Sequence, residues 1–382
     1  MSSLQAVLDR SVARGDAPFL VAMTGNAKGT TFAGAAGTAA AGRAAGEDTV
    51  FRIFSMTKAV GSVAAMILID RGKLSMDTPV AEILPAFKEV KVVDGWNGEE
   101  PVLRSPRTTC TIRHLATHTS GFCYEFFNAD IGRWMAHSGH PTILSGLKGA
   151  LMYPLAFDPG TKWDYGIGID WLCQAVEAID GRGIDRFVTE EILQPLGMSD
   201  TAFECEGALA GRLADLQARG EDGAFAPFEL APPPRPEFYG MGHALYSTAP
   251  DYLRFCRMVL NGGELDGVRI LSPQAHAEMC ANQIGALEVE KVNTMAPPVS
   301  ADFEPFPGLR KTHAFAFMRL EDDAPAMRSA GSLAWAGVCN THYWIDPKKD
   351  LAAVIMTQTL PFVEPGFMTA YEDYEKAVYA GL

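Results

Sequence analysis

The chain has 382 residues, of which 46 are acidic and 32 basic, giving a formal net charge of −14, and 48% are hydrophobic. The length exceeds one ordinary core and predicts a large domain with an insertion, or two domains. The hydrophobic fraction excludes disorder, aperiodic Gly and Pro exclude collagen, the acidic balance without a basic stripe excludes nucleic acid as the main partner, and charges interrupting every long apolar run exclude a membrane span.

Leu4, Val7, Leu8 and Val12 recur at helical spacing and predict an amphipathic first helix. Asp9, Arg10, Arg14 and Asp16 deny this terminus the apolar core of a secretory signal, so a cytoplasmic location is expected. Short β-type runs at 19–24 and 30–32 flank a Gly-bounded turn as a hairpin, and 49–54 (TVFRIF) is expected to continue the sheet. From Ser55 to about Arg71 apolar side chains lie almost all round a helix, which must therefore be buried centrally, with Gly72 as its C-cap.

From Asp77 to about Pro236 the texture is helical and loop-rich, with candidate helices at 112–117, 142–152 and 168–179. The run 231–236 (APPPRP) reads as a linker, because four prolines fit neither a helix interior nor a central strand. Another helix is expected at 249–261, strands at 312–320, 333–336, 342–345 and 351–357, and a terminal helix from about 366 to 380. Strands at both ends around a helical middle predict an α+β fold: an antiparallel sheet flanked by helices, built from 1–76 and 237–382, with a mainly helical lobe, 77–236, inserted. Cysteines at 110, 123, 173, 205, 256, 280 and 339 form an odd set without a Cys-x-x-Cys pair, so neither a disulfide framework nor a zinc ribbon is expected.

The strongest chemical constellation is Ser55-Met56-Thr57-Lys58. A serine needs a base to attack an acyl carbon, and a lysine three residues on lies one helical turn away on the same face. The helix dipole and the expected burial both disfavour a protonated Lys58, which makes a neutral amine available to accept the Ser55 proton. The same spacing recurs at Ser145 and Lys148, but there the segment is punctuated by Gly and the lysine can reach solvent. His114 and His118 have metal-like spacing without the glutamate of a zincin, so no metal site is expected. The Gly-Xxx-Ser-Xxx-Gly elbow of α/β-hydrolases is absent.

The order of FRIFSMTK (51–58), HTSGF (118–122), DPGTKWDYG (158–166) and WAGVCNTHYWIDP (335–347) resembles the class C β-lactamase-like serine hydrolases, and most closely the family VIII carboxylesterases. The resemblance implies a β-lactamase/transpeptidase-like fold, with Ser55 as nucleophile, Lys58 as base or relay, and Tyr165 as the third member, touching Ser55 and returning a proton to the leaving alcohol. It also implies that Trp335, Ala336 and Gly337 stand in the Lys-Thr-Gly strand and that the backbone N–H groups of Ser55 and Val338 form an oxyanion hole. Tyr124, Phe126 and Phe127, after the HTSG turn, are candidates for the substrate wall. Two departures matter: Ile167 replaces the asparagine of the tyrosine motif and Trp335 replaces the lysine of Lys-Thr-Gly, removing polar groups that would orient a β-lactam.

The expected activity is cofactor-free hydrolysis of a small neutral carboxylic ester, of short to medium acyl chain, through an acyl-Ser55 intermediate. An acyltransferase of the same fold, a β-lactam, D-amino-acid peptide or amide hydrolase, and a catalytically silent penicillin-binding-like module are the alternatives. The sequence assigns no oligomeric state.

Overall fold

Both ends of the chain contribute strands to one antiparallel sheet. The structure, a computed structural model, describes residues 4–382. After helix α1 (Leu4–Arg14) come β1 (Phe19–Gly25), β2 (Thr30–Ala40) and β3 (Arg43–Ala44). The late strands are β4 (Lys311–His313), β5 (Met318–Leu320), β6 (Leu333–Gly337), β7 (Thr341–Asp346) and β8 (Leu351–Met356). They lie in the order β4-β5-β6-β7-β8-β1-β2-β3, and β8 joins the two halves through the pairing of Val21 with Met356.

The central strands FLVAMTG, THYWID and LAAVIM are buried throughout, as expected of runs covered on both faces. Consecutive residues of β7 show what covers each face. The Tyr343 ring meets Tyr252 of α4 (Ala249–Leu260), and the Trp344 ring meets Tyr371 and Tyr374 of α5 (Pro365–Ala380). On the α4 side lies α2 (Thr57–Asp70), buried from Thr57 to Leu68 and packed against α3 (Gly168–Asp180). A Cβ on Gly61 would stand 2.8 Å from Met241 and 3.0 Å from Cys173, so this glycine sets how closely α2 and α3 approach.

Three expectations need correction, and one helix was not expected at all. The segment 49–54 does not extend the sheet: only Phe51–Arg52 is extended, paired with Tyr246–Ser247, because Phe54 at φ 39° turns the chain abruptly into α2. The helix expected at 142–152 is two 3-10 turns, Ile143–Ser145 and Lys148–Leu151, broken by Gly146 at φ 70° against Pro233 and Pro236. The strand expected at 312–320 is a hairpin, β4 and β5. An unanticipated helix, Ala129–Ser138, begins where the Asn128 side chain accepts from the Ile131 N–H and ends at left-handed Gly139.

The expected helices at 168–179, 249–261 and 366–380 are α3, α4 and α5, within a residue or two at each end. The middle of the chain is stitched back to the sheet region where Gln217–Arg219 pairs with Thr359–Leu360. Among the described residues no helix is long and apolar enough to cross a membrane.

Candidate active site

Ser55 sits in the 3-10 turn Phe54–Met56 that leads directly into α2. The left-handed Phe54 before it is a sparsely populated conformation for a bulky residue, and such strain, ~1–3 kcal/mol, persists where the surroundings fix it. Here β6 does so. A Cβ on Gly337 would overlap the Ile53 carbonyl oxygen, so only glycine lets the end of β6 come so close to the backbone before Ser55. Ser55 and Val338 consequently face the same chamber.

Lys58, in the first turn of α2, is 2% exposed, and its Nζ lies 3.2 Å from Ser55 Oγ, 2.8 Å from the Tyr124 hydroxyl and 2.9 Å from the Gly242 carbonyl oxygen. The Gly242 carbonyl can only accept, so one N–H of Lys58 is committed there, while the two hydroxyls can each donate or accept. Burial pushes the Tyr124 phenol well above its usual range, helped by Tyr165 and Asp170, so Tyr124 stays protonated.

The other side of Gly242 is gripped as well. Its N–H donates to Asp170 Oδ1 of α3 at 2.8 Å, and Asp170 Oδ2 is buried without a hydrogen-bond partner among the described residues. Burial raises the Asp170 carboxyl to about 6, against the opposing pull of Lys58 and the Gly242 N–H.

Tyr165 is carried by a loop that docks on the HTSG turn backbone to backbone. The Tyr124 N–H donates to the Tyr165 carbonyl at 3.0 Å, the Asp164 N–H to the His118 carbonyl at 3.0 Å, and the Gly160 N–H to the Thr119 carbonyl at 2.8 Å. A Cβ on Gly166 would overlap the Phe122 carbonyl oxygen, which explains a glycine directly after the tyrosine. His118 packs 4.7 Å from the Tyr165 ring, and burial, then His313 and Lys58, push its imidazole well below the usual range, leaving it neutral. His114, by contrast, closes a capping box with Thr111 at the start of its helix.

The Tyr165 hydroxyl accepts from Trp335 Nε1 at 3.1 Å, and the Lys58 Nζ stands 4.8 Å above the Tyr165 ring. The expected hydrogen bond between Tyr165 and Ser55 is not made among the described residues; an indole donor takes its place, leaving the Tyr165 O–H free to donate to a ligand.

Over these groups opens a chamber of about 340 Å³. Tyr124, Phe126, Phe127, Trp335 and Ala336 line it, and Gly337 does not, because it is taken up by the contact with Ile53. Ile167 is fully buried and outside the lining, so of the two departures from the lactamase pattern only Trp335 shapes the wall. No local signal marks His243, Phe228 or Phe303, which complete the chamber from distant segments, or Asp170 and Gly242 behind Lys58. The one legible hint was the Gly-x-Gly at 240–242, where a Cβ on either glycine would press on the Asp170 carboxylate, at 2.8 and 2.6 Å.

A family model described as Beta-lactamase matches residues 4–377. The acyltransferase calJ of Penicillium decumbens is 28% identical over 347 residues, which cover 87% of this chain and 81% of that protein. The lovastatin esterase of Penicillium rubens is 27% identical over 336 residues, covering 84% and 82%. The solved structure of unliganded simvastatin synthase (LovD) from Aspergillus terreus, a selenomethionyl derivative, superposes with a TM-score of 0.85 at 25% identity, covering 99% of this chain and 97% of that one.

Proposed function

Because the chain belongs to the beta-lactamase family of serine hydrolases and acyltransferases, we propose that it is a carboxylesterase acting through a covalent acyl-Ser55 intermediate. The contact that carries this reading is Lys58 Nζ at 3.2 Å from Ser55 Oγ, inside an apolar chamber. A nucleophile, a base held by further partners, and an adjoining pocket are what acyl transfer requires.

In the first step Ser55 Oγ attacks the ester carbonyl carbon while its proton passes to Lys58. The N–H groups of Ser55 and Val338 receive the developing oxyanion. The bond to the alcohol then breaks, Lys58 returns the proton to the leaving oxygen, and the Tyr165 hydroxyl, free on its donor side, hydrogen-bonds to that oxygen. Water repeats the sequence on the acyl-enzyme and releases the acid. The aromatic wall, with an indole where lactamases carry a lysine, favours neutral esters over β-lactams, whose carboxylate would find no lysine or arginine among the described residues of the lining. The expected test is release of p-nitrophenol from a short acyl ester, abolished in Ser55→Ala; undiminished release by that variant contradicts the proposal.

A second reading, transfer of the acyl group to an alcohol, is favoured by the likeness to calJ and to LovD, one named an acyltransferase and the other a synthase. The first step is the same, and only the acceptor differs. Product analysis with added alcohols separates the two: free acid as the dominant product supports the esterase, and ester dominating at millimolar alcohol supports the transferase.

A further inference from the structure

Behind Lys58 a buried carboxylate sits where acyl transfer has a use for one. Asp170 is 1% exposed, in the first turn of α3, and no arginine or lysine forms an ion pair with it among the described residues. Its Oδ1 holds the Gly242 N–H at 2.8 Å, and the carbonyl oxygen of the same Gly242 holds Lys58 Nζ at 2.9 Å, so one residue's backbone links carboxylate to amine. The turn is cut to fit it, because a Cβ on Gly242 would stand 2.6 Å from Asp170 Oδ2 and one on Gly240 2.8 Å from Oδ1. A buried carboxylate oxygen without a partner is costly, and one retained beside a nucleophile's base calls for a role.

We propose that Asp170 is a positioning residue for Lys58: through Gly242 it aims the amine at Ser55, and its negative charge offsets the positive charge Lys58 gains on accepting the Ser55 proton. This rests on the assignment of Ser55 and Lys58 above. The bookkeeping is that of a triad: the proton moves from Ser55 Oγ to Lys58 Nζ, none moves to Asp170, and the third group orients and stabilises the base.

Among the groups around Asp170 two carboxyls, its own and that of Glu125, are raised by burial, and only Asp170 holds the Gly242 N–H. Lys58 faces it from α2, Tyr124 and Tyr153 from the loops before α3, Cys173 from the next turn of α3, and His243 flanks the same Gly240. Burial pushes both phenols and the thiol well up and His243 down to about 3. Glu125, which acts with Asp170 on both tyrosines, is also raised by burial and is the control.

The experiment is the pH dependence of kcat/KM for p-nitrophenyl butyrate in the wild type, D170N, D170S and E125Q, with thermal melts as fold controls. Because the carboxylate exists above about 6 and is lost below it, the wild type should lose activity as the pH falls through that value. D170N keeps an oxygen for the Gly242 N–H but removes the charge. It should lower kcat about tenfold to a hundredfold with little change in KM, and the acid limb should shift to lower pH or vanish. D170S should behave alike, and E125Q should keep the limb. A wild-type limb unmoved in folded D170N with unchanged kcat, a limb that moves in E125Q instead, or no wild-type limb between pH 5 and 7 each overturns the proposal. Activity surviving in Ser55→Ala would instead remove the reading beneath it, and the proposal with it.

Discussion

Lys58 owes its aim to three neighbours, and the Tyr124 hydroxyl is the one that a substitution removes without touching the nucleophile or the backbone. Tyr124→Phe removes the 2.8 Å partner of Nζ while keeping the ring stacked on Phe126. A hydrogen bond to a charged or charging group is worth ~1.5–3 kcal/mol, so kcat should fall about tenfold to a hundredfold with KM held, by steady-state kinetics on a short ester. An unchanged kcat would mean that Tyr124 serves only as wall. Trp335→Phe keeps an aromatic surface but removes the indole N–H that the Tyr165 hydroxyl accepts. It should lower kcat without altering preference among acyl chain lengths; a shifted chain-length profile at constant kcat would place Trp335 in substrate packing instead. The adjacency of Ser55 and Lys58 was legible because a serine and a lysine one helical turn apart carry chemistry on their own, whereas Tyr165 was singled out only through the resemblance. Asp170 was not legible, because a lone acid in an apolar helix becomes meaningful only once folding sets it behind Gly242, 72 residues away.

Elements meet at this site through glycines, which is why its motifs are rich in them. Gly337 brings β6 against the backbone before Ser55, Gly166 brings the tyrosine loop against the HTSG turn, and Gly61 brings α2 against α3. Gly166→Ala forces a Cβ into the Phe122 carbonyl and should cost ~1–3 kcal/mol, read as a lower denaturant midpoint, together with a loss of kcat beyond what the stability change explains. Wild-type stability and activity in that variant would deny the close approach. A helix apolar almost all round and one with a single apolar face were both readable from the chain, as α2 and α3 show. The strand expected at 49–54 and the helix expected at 142–152 were not: Phe54 enters a left-handed conformation that its local pattern does not announce, and the break at Gly146 is set against Pro233 and Pro236, far along the chain.

At the scale of the molecule, the two chain ends and the middle segment converge on one chamber, and the same sheet that carries Trp335 and Val338 is fastened to α5 by a buried ion pair. Arg328 and Glu375 are 2% and 1% exposed, joined at 2.8 Å, with Tyr371 as a further partner of the guanidinium. Glu375→Ala would strand a buried cation and should destabilise by ~3–5 kcal/mol, measured by denaturant unfolding, while kcat/KM of the remaining folded protein changes little. A shift under 1 kcal/mol would mean that water reaches Arg328. The sheet's dependence on both ends was legible in the strand-helix-strand texture, whereas the return of Gln217–Arg219 to pair with Thr359–Leu360 depends on a contact no local signal encodes. Whether Ser55 is an acyl-accepting nucleophile activated by Lys58 is read by a fluorophosphonate probe followed by peptide mass spectrometry. A single adduct is expected on Ser55, formed far more slowly in Lys58→Ala and absent in Ser55→Ala; an adduct on another residue, or none on active protein, would overturn the assignment of Ser55.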